Sequence, residues 1–311
     1  MTINILFAGR ASDWPLYEVE LTKALVNQGV DARLSNDMAP EMVDYIVYAP
    51  DGPVSEFSRY MRCKAVLGLW AGVERIVTNP TLRQPLARMV DAGLREGMVE
   101  WVTGQVLRYH LGLDQHILHQ DGIWREETAA PLARSRTVGI LGLGALGAAC
   151  GHALAHLNFN VVGWSRSPKD LPMITCMSGE SGLHDVIGQS DILVLLLPDT
   201  RATANILNAK TLALLTKGAC IINPGRGTLI DDDALLDALS SGRVGHATLD
   251  VFRQEPLPAE HPYWAHPRVT VTPHIASSTR EDTASDFVAE NISRYERGLS
   301  LIGLVDRSVG Y

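Results

Sequence analysis

Residues 137–147 read TVGILGLGALG, and this stretch decides the fold of the 311-residue chain. It opens as a short apolar run typical of a buried strand and ends in a Gly-x-Gly-x-x-Gly motif at Gly142, Gly144 and Gly147. In such a motif the first glycine permits a tight turn, the second lets backbone amides approach a pyrophosphate, and the third lets helix and strand pack closely. A helical pattern over 148–157 and a second strand follow. We therefore predict a dinucleotide-binding α/β domain rather than a turn that uses glycine for packing alone.

The composition is that of a folded protein, with 46% hydrophobic and 20% charged residues. Lys and Arg number 27 against 35 Asp and Glu, a net charge of −8, which argues against nucleic acid or an anionic membrane as a partner. The start of the chain lacks the pattern of a signal peptide, and no apolar run is long enough to span a membrane. The four cysteines have neither disulfide-framework nor zinc-site spacing. A reducing cytoplasm is the expected location.

Short β-branched runs alternate with helical stretches along the whole chain, which is typical of parallel sheets covered by helices. Long helical patterns occupy 97–118 and 281–297, and a shorter one occupies 17–27. Strands are predicted at 3–8, 30–34, 44–48, 65–69, 137–141, 161–164, 192–197, 219–223, 247–251 and 269–272.

This order predicts an α/β fold of two Rossmann-like domains joined by a hinge, with the last helix returning to the first domain. The first, a flavodoxin-like substrate domain, comprises residues 1–97 plus 282–311. The second, a doubly wound parallel-sheet domain that binds the dinucleotide, comprises residues 98–281. Two such domains would place a cleft at the hinge.

The turn after the second strand of the dinucleotide domain reads GWSRSPK over 163–169. An acidic residue at this point would bind the adenosine ribose of NAD, but none is present. Ser165, Arg166 and Lys169 instead offer hydroxyl and cationic groups that suit a ribose phosphate. We expect NADP(H) to be preferred, with NAD(H) possible; the alternative is a solvated basic turn.

Three polar segments follow strands of the second domain, at 223–227, 249–256 and 272–277. Open α/β sheets bind ligands at the ends of their strands. Each segment alone could be a loop with a charged tip. Together they supply a guanidinium, a carboxylate and an imidazole, the groups needed to bind a 2-oxo acid and protonate its carbonyl oxygen as hydride arrives.

These segments and the glycine motif resemble the D-isomer-specific 2-hydroxyacid dehydrogenases, specifically the glyoxylate/hydroxypyruvate reductase A branch. The resemblance extends over essentially the whole chain, including the closing residues 305–311. It implies that Arg226 grips the substrate carboxylate and carbonyl, that His274 is the general acid, and that Glu255 stabilises the imidazolium. Without their motifs these residues would be read as a surface ion-pair partner, a hydrogen-bonded buried histidine and a helix-terminal charge, respectively.

The resemblance also implies that Trp70, Ala71 and Gly72 bind the substrate, with backbone amides on its carboxylate. Trp70 could narrow the pocket toward small acids, or it could be a core tryptophan. The broader family has Ser-x-Gly-x-Asp here, whereas this chain keeps the Ala-Gly-Val of the branch. A second departure is Pro224-Gly225 before Arg226, which could alter contact with the nicotinamide face.

Further cofactor contacts come from the same resemblance. Asp250 is expected either to hold the residues that contact the substrate or to lie beside the nicotinamide, rather than to act as a catalyst. The cofactor-binding residues expected in full are Gly142, Gly144, Ala145, Leu146, Gly147, Trp164, Ser165, Arg166, Ser167, Leu197, Pro198, Pro224, Gly225, Asp250, His274 and Ser277.

Two weaker features lie near the long helix of 97–118. His110, His116 and His119 have no carboxylate or cysteine set to complete a metal site, so we expect solvent-facing histidines and no metal. Residues 121–124 resemble the family's Gly-x-Trp arm, which implies an isologous homodimer.

The sequence thus predicts an NADPH-dependent reductase that converts glyoxylate to glycolate and hydroxypyruvate to D-glycerate. One alternative is a reductase or dehydrogenase for a bulkier 2-oxo or D-2-hydroxy acid, because fold and triad do not fix the side-chain pocket. The other is a non-catalytic dinucleotide-sensing protein, against which the intact Arg226, Glu255 and His274 argue.

Overall fold

A computed structural model of the protein describes residues 2–126, 129–307 and 310. It contains two compact units, unit 1 (Met1–Leu94 with Ser278–Tyr311) and unit 2 (Arg95–Ser277). The sequence predicts domain boundaries after residues 97 and 281, and the units divide after Leu94 and Ser277. Of the closing segment that resembles the family branch, Ser308, Val309 and Tyr311 lie outside the described residues.

Unit 1 is built on a five-stranded parallel sheet with the strand order β2-β1-β3-β4-β5. This is the flavodoxin-like order that the sequence predicts. The strands are β1 (Ile3–Ala8), β2 (Ala32–Ser35), β3 (Tyr45–Tyr48), β4 (Ala65–Gly68) and β5 (Leu86–Ala87), and the helices include α1 (Trp14–Asn27), α2 (Glu74–Val77) and α9 (Glu281–Glu296).

Both faces of this sheet are buried, which explains the near-continuous apolar pattern of its central strands. Alternate residues of β1 and β3 point to opposite faces. One face packs against α1 and α9, so the last helix lies in unit 1. That core includes Ile5, Phe7, Tyr45, Val47, Leu21, Ala284, Val288 and Ile292, and the opposite core includes Leu6, Ile46, Val66, Phe57 and Leu86.

Unit 2 is built on a seven-stranded parallel sheet with the order β12-β11-β10-β9-β6-β7-β8. The order reverses between β6 and β9, and a doubly wound sheet opens its ligand crevice at such a point. The predicted fold class is confirmed. The strands are β6 (Thr137–Leu141), β7 (Asn160–Trp164), β8 (Thr175–Met177), β9 (Ile192–Leu195), β10 (Ala219–Asn223), β11 (Val244–Leu249) and β12 (Val269–Val271).

The helices of unit 2 include the long α3, which begins at the end of unit 1. No helix within the described ranges 2–126, 129–307 and 310 has both the length and the apolar character to cross a bilayer. The bounds are α3 (Ala92–His110), α4 (Leu113–Leu118), α5 (Ala145–His156), α6 (Gly179–Gln189), α7 (Ala209–Leu212) and α8 (Asp232–Ser240).

The expectation of a solvent-facing His110 is wrong. Only 7% of this residue is exposed, and its ring lies edge-on to Phe159 with the ring centroids 5.0 Å apart. Burial lowers the pKa of the imidazole and so favours its neutral form. His116 and His119 are exposed, as expected.

Candidate active site

The glycine motif forms the turn between β6 and α5. Gly142 has φ +109°, and a Cβ on it would crowd the Leu196 carbonyl. A Cβ on Gly147 would collide with the Gly142 carbonyl oxygen, whereas around Gly144 the space is open. The first and third glycines are therefore required by packing, and the second leaves the N-terminus of α5 accessible. This geometry fits the pyrophosphate of a dinucleotide.

The turn after β7 presents positive charge to solvent. Arg166, Ser167 and Lys169 are exposed, but Ser165 is buried and its hydroxyl donates to the Ser167 carbonyl at 2.7 Å. Trp164 donates from Nε1 to the Gly179 carbonyl at 2.8 Å. The Ser165 hydroxyl is therefore used in a hydrogen bond within the turn. The exposed positive charges of the turn are those of Arg166 and Lys169.

His274 and Glu255 form a hydrogen-bonded pair. The imidazole Nδ1 donates to Glu255 Oε2 at 2.8 Å, and the backbone amide of Phe252 donates to Oε1 at 2.9 Å. Both carboxylate oxygens are thus engaged, which fixes the ring and leaves Nε2 as the nitrogen able to meet a ligand. The side chains are 53% and 36% exposed, so a small molecule can reach them.

Asp250 holds the loop that carries His274. Its carboxylate is fully buried and accepts from the Thr272 hydroxyl at 2.6 Å and from the amides of Ile275 and Ala276 at 2.9 Å. The His274 amide donates to the Asp250 carbonyl at 2.8 Å. His274 has φ +56°, a conformation uncommon outside glycine, which these bonds hold in place. The geometry favours a role for Asp250 in holding the His274 loop. A contact of Asp250 with the cofactor stays a prediction.

Arg226 extends from the turn that follows β10. The buried Asn223 side chain bridges this turn, donating to the Arg226 carbonyl at 2.9 Å and accepting from the Gly225 amide at 3.1 Å. Arg226 is half-buried and donates from Nη1 to the Gly225 carbonyl at 2.6 Å. Asn223 is not among the site residues that the motifs predict, although Asn at a strand end before Pro-Gly is typical of such a turn.

The turn of Arg226 packs directly on the loop of Glu255. A Cβ on Gly227 would collide with the backbone of Phe252 and Arg253, so the two segments touch through their main chains. Because β10, β11 and β12 are neighbours, their carboxyl ends bring Arg226, Glu255 and His274 to one edge of the sheet.

The other predicted cofactor residues in unit 2 lie at ends of the same sheet. Leu197 and Pro198 follow β9, next to the glycine motif's strand β6, and the Thr203 hydroxyl donates to the Pro198 carbonyl at 2.6 Å. Pro224 is buried in the turn before Arg226, and Ser277 is partly buried after the His274 loop.

The predicted substrate loop of unit 1 follows β4. Trp70 is 40% exposed, so it is not a core tryptophan, while Ala71 and Gly72 are partly buried. The loop is fixed because the Thr279 hydroxyl donates to the Leu69 carbonyl at 2.7 Å.

The chain is similar to proteins of one known family. Residues 105–276 match the family model described as "D-isomer specific 2-hydroxyacid dehydrogenase, NAD binding domain". The chain is also 40% identical to glyoxylate/hydroxypyruvate reductase A of Yersinia enterocolitica, over 86% of this chain and 88% of the relative. The chain belongs to the D-isomer specific 2-hydroxyacid dehydrogenase family. The family and the branch that the sequence predicts are confirmed.

Two solved dehydrogenase structures resemble this member of the family over its full length. The D-isomer specific 2-hydroxyacid dehydrogenase of Xanthobacter autotrophicus Py2, in complex with NADPH and MES, has a TM-score of 0.93 at 35% identity and all of both chains covered. The NADPH-dependent glyoxylate/hydroxypyruvate reductase of Sinorhizobium meliloti, in complex with NADP and sulfate, has a TM-score of 0.84 at 34% identity, covering 100% of this chain and 99% of the other.

Across residues 2–126, 129–307 and 310, no three His, Cys, Asp or Glu side chains are grouped so that they could hold an ion.

Proposed function

We propose that this protein is an NADPH-dependent reductase of small 2-oxo acids, converting glyoxylate to glycolate and hydroxypyruvate to D-glycerate. The observation that carries the proposal is the His274–Glu255 pair, whose Nδ1 and Oε2 are 2.8 Å apart. The pair lies at the edge of the sheet that also carries Arg226, and the glycine motif follows strand β6 of the same sheet. The branch name of the Yersinia relative and the NADPH and NADP bound in the two solved structures support it. Cofactor oxidation in the presence of these acids tests it.

The chemistry follows from the three groups that meet at this edge of the sheet. When bound, NADPH supplies the hydride that reduces the carbonyl carbon. Arg226 holds the substrate carboxylate with its fork of donors. His274 carries a proton on Nε2 and gives it to the carbonyl oxygen as negative charge develops there, so that the product is the hydroxy acid. Glu255 stabilises the imidazolium before transfer and keeps the ring aligned.

The cofactor would be held by the backbone amides at the start of α5 and by the turn after β7. The open space at Gly144 suits the pyrophosphate, and the cation of Arg166 suits a ribose phosphate. We further propose that the loop of Trp70, Ala71 and Gly72 binds the substrate carboxylate, with the exposed Trp70 restricting the substrate to small acids.

The Arg166→Gln substitution tests the cofactor preference. Loss of a charge-assisted hydrogen bond to phosphate costs about 1.5–3 kcal/mol, so we expect the KM for NADPH to rise roughly 10- to 100-fold. The KM for NADH should change little, because NADH lacks that phosphate. Steady-state assays with both cofactors measure this, and Lys217→Gln, at an exposed lysine elsewhere in unit 2, is the matched control. An unchanged KM for NADPH in the Arg166 variant would refute the assignment.

The protein is proposed to act as a homodimer through the segment 117–124. This segment exposes four large apolar side chains, with Ile117 68%, Leu118 78%, Ile123 64% and Trp124 88% exposed. Such clustering on a folded surface marks an interaction site. At the end of this segment, Arg125 Nη2 lies 2.6 Å from Asp121 Oδ2.

The Trp124→Glu substitution tests this surface. A buried carboxylate at an apolar contact is strongly unfavourable, so we expect the variant to sediment as a monomer while the wild type sediments as a dimer. Met61→Glu, at a methionine that is 86% exposed in unit 1, should leave the dimer intact. A dimeric Trp124 variant, or a monomeric wild type, would contradict the proposed interface.

A reducing cytoplasm is proposed as the location. All four cysteines, Cys63, Cys150, Cys176 and Cys220, are free thiols. Burial raises the pKa of Cys63, Cys150 and Cys220 to about 12, which keeps those three protonated and chemically inert.

A further inference from the structure

Arg253 lies two residues before Glu255 and is exposed, yet its guanidinium is bound on several sides. Nη2 donates to the side-chain oxygen of Asn205 and to the Ile230 carbonyl, and it lies 3.5 Å from the Thr228 carbonyl. Nε lies 3.4 Å from Asp232 Oδ2. A guanidinium satisfies several acceptors at once in a way that a lysine ammonium does not, because its donors form a rigid planar fork.

Two of these acceptors, the carbonyls of Thr228 and Ile230, belong to the segment that carries Arg226. Thr228 and Ile230 directly continue the turn of Arg226, and the same stretch touches the Phe252–Arg253 backbone at Gly227. The backbone amide of Phe252, the residue before Arg253, donates to Glu255 Oε1 at 2.9 Å. Arg253 therefore ties the segment after β10 to the loop after β11.

The acidic partner of Arg253 is held in turn. Asp232 opens α8, and its Oδ1 accepts from the Tyr263 hydroxyl at 2.9 Å. The carboxylate thus has one oxygen fixed by Tyr263 and the other near Arg253. An exposed ion pair contributes little to stability alone, so the consequence of this arrangement lies in where it places the loop.

We propose that Arg253 is a positioning residue that keeps the carboxylate-binding Arg226 in register with the proton-donating His274–Glu255 pair. The inference rests on the proposed function, because it concerns the geometry of that reaction. With Arg253 in place, the substrate gripped by Arg226 presents its carbonyl oxygen to His274. Without it, the two loops lose this connection, and binding and proton transfer lose their alignment.

The test compares Arg253→Met and Arg253→Lys with Arg134→Met, a control at an exposed arginine of unit 2. We measure kcat and KM for glyoxylate, the KM for NADPH and the melting temperature. A misalignment of reacting groups lowers rates steeply, so we expect kcat/KM of the methionine variant for glyoxylate to fall about 10- to 100-fold. The fall should divide between a lower kcat and a higher KM, with an unchanged KM for NADPH. Lysine should restore part of the loss, and the control should match the wild type.

A purely structural role would lower the melting temperature and leave the kinetics of the folded enzyme intact. Kinetics of Arg253→Met within twofold of the wild type would therefore overturn the inference. If that variant does not fold, Asn205→Gly removes one acceptor of the same guanidinium and tolerates the φ of +52° at this position, so it should move kcat and KM in the same directions; unchanged constants there would overturn the inference equally. Absence of turnover by the wild type would remove the proposed function and this inference together, whereas an active wild type with unaffected variants removes the inference alone.

Discussion

His274→Asn is expected to lower kcat for glyoxylate reduction by about 10³-fold, because a positioned general acid contributes on the order of 10²–10⁴ to the rate. Asparagine retains the fold at this position. His274 has φ +56°, and Asn is among the few residues that adopt such a backbone readily. The side-chain amide cannot deliver a proton to the carbonyl oxygen. Steady-state kcat, together with NADPH binding followed by its fluorescence, measures the effect.

NADPH binding should weaken little in this variant, although His274 is among the predicted cofactor-binding residues, since the proposed pyrophosphate and ribose-phosphate contacts lie at other turns. His119→Asn, at an exposed histidine, is the matched control and should behave as the wild type. A kcat of His274→Asn within threefold of the wild-type kcat would refute the assignment of His274 as the general acid.

Arg226→Lys is expected to reduce kcat/KM for 2-oxo acids by roughly 10²–10³-fold, the cost of losing a donor aimed at developing charge. Lysine preserves the positive charge but not the planar fork that engages a carboxylate at two points. The Asn223 side chain donates to the backbone carbonyl of Arg226 at 2.9 Å, so a change of the Arg226 side chain should leave this bond and the turn in place. Initial rates over a range of glyoxylate concentrations give kcat and KM separately.

We expect KM to rise and kcat to fall together, because Arg226 is proposed to contact both the carboxylate and the carbonyl. Arg243→Lys provides a control within unit 2, where the guanidinium donates to the Leu215 carbonyl at 3.1 Å. If Arg226→Lys kept full activity, charge alone would suffice and the fork argument would fail.

The fold was predictable because its strands are buried on both faces and so appear as short apolar runs. β1, β6 and β10 have the predicted bounds. β5 and β8 were missed. β5 is only two residues long, and β8 lies at the sheet edge with partly exposed side chains, so neither produces a pattern. α5 begins at Ala145 rather than 148, because the third glycine of the motif packs inside the first helical turn.

The residue types of the candidate site were predictable from motifs, but their arrangement was not. The sequence does not show that Asp250 holds residues 272–276, or that Asn223 bridges its own turn. Each such contact joins segments whose approach is set by the sheet order. The burial of His110 and the internal bond of Ser165 likewise depend on neighbours that a linear pattern does not specify.

The most direct measurement is steady-state oxidation of NADPH and NADH with glyoxylate, hydroxypyruvate, pyruvate and phenylpyruvate, comparing kcat/KM for each pair. The proposed function predicts efficient turnover of glyoxylate and hydroxypyruvate with NADPH and much weaker turnover with NADH or phenylpyruvate. A preference for NADH would contradict the role of the Arg166 turn, and a preference for phenylpyruvate would contradict the restriction by Trp70. No oxidation of either cofactor with any of these acids would contradict the reductase itself.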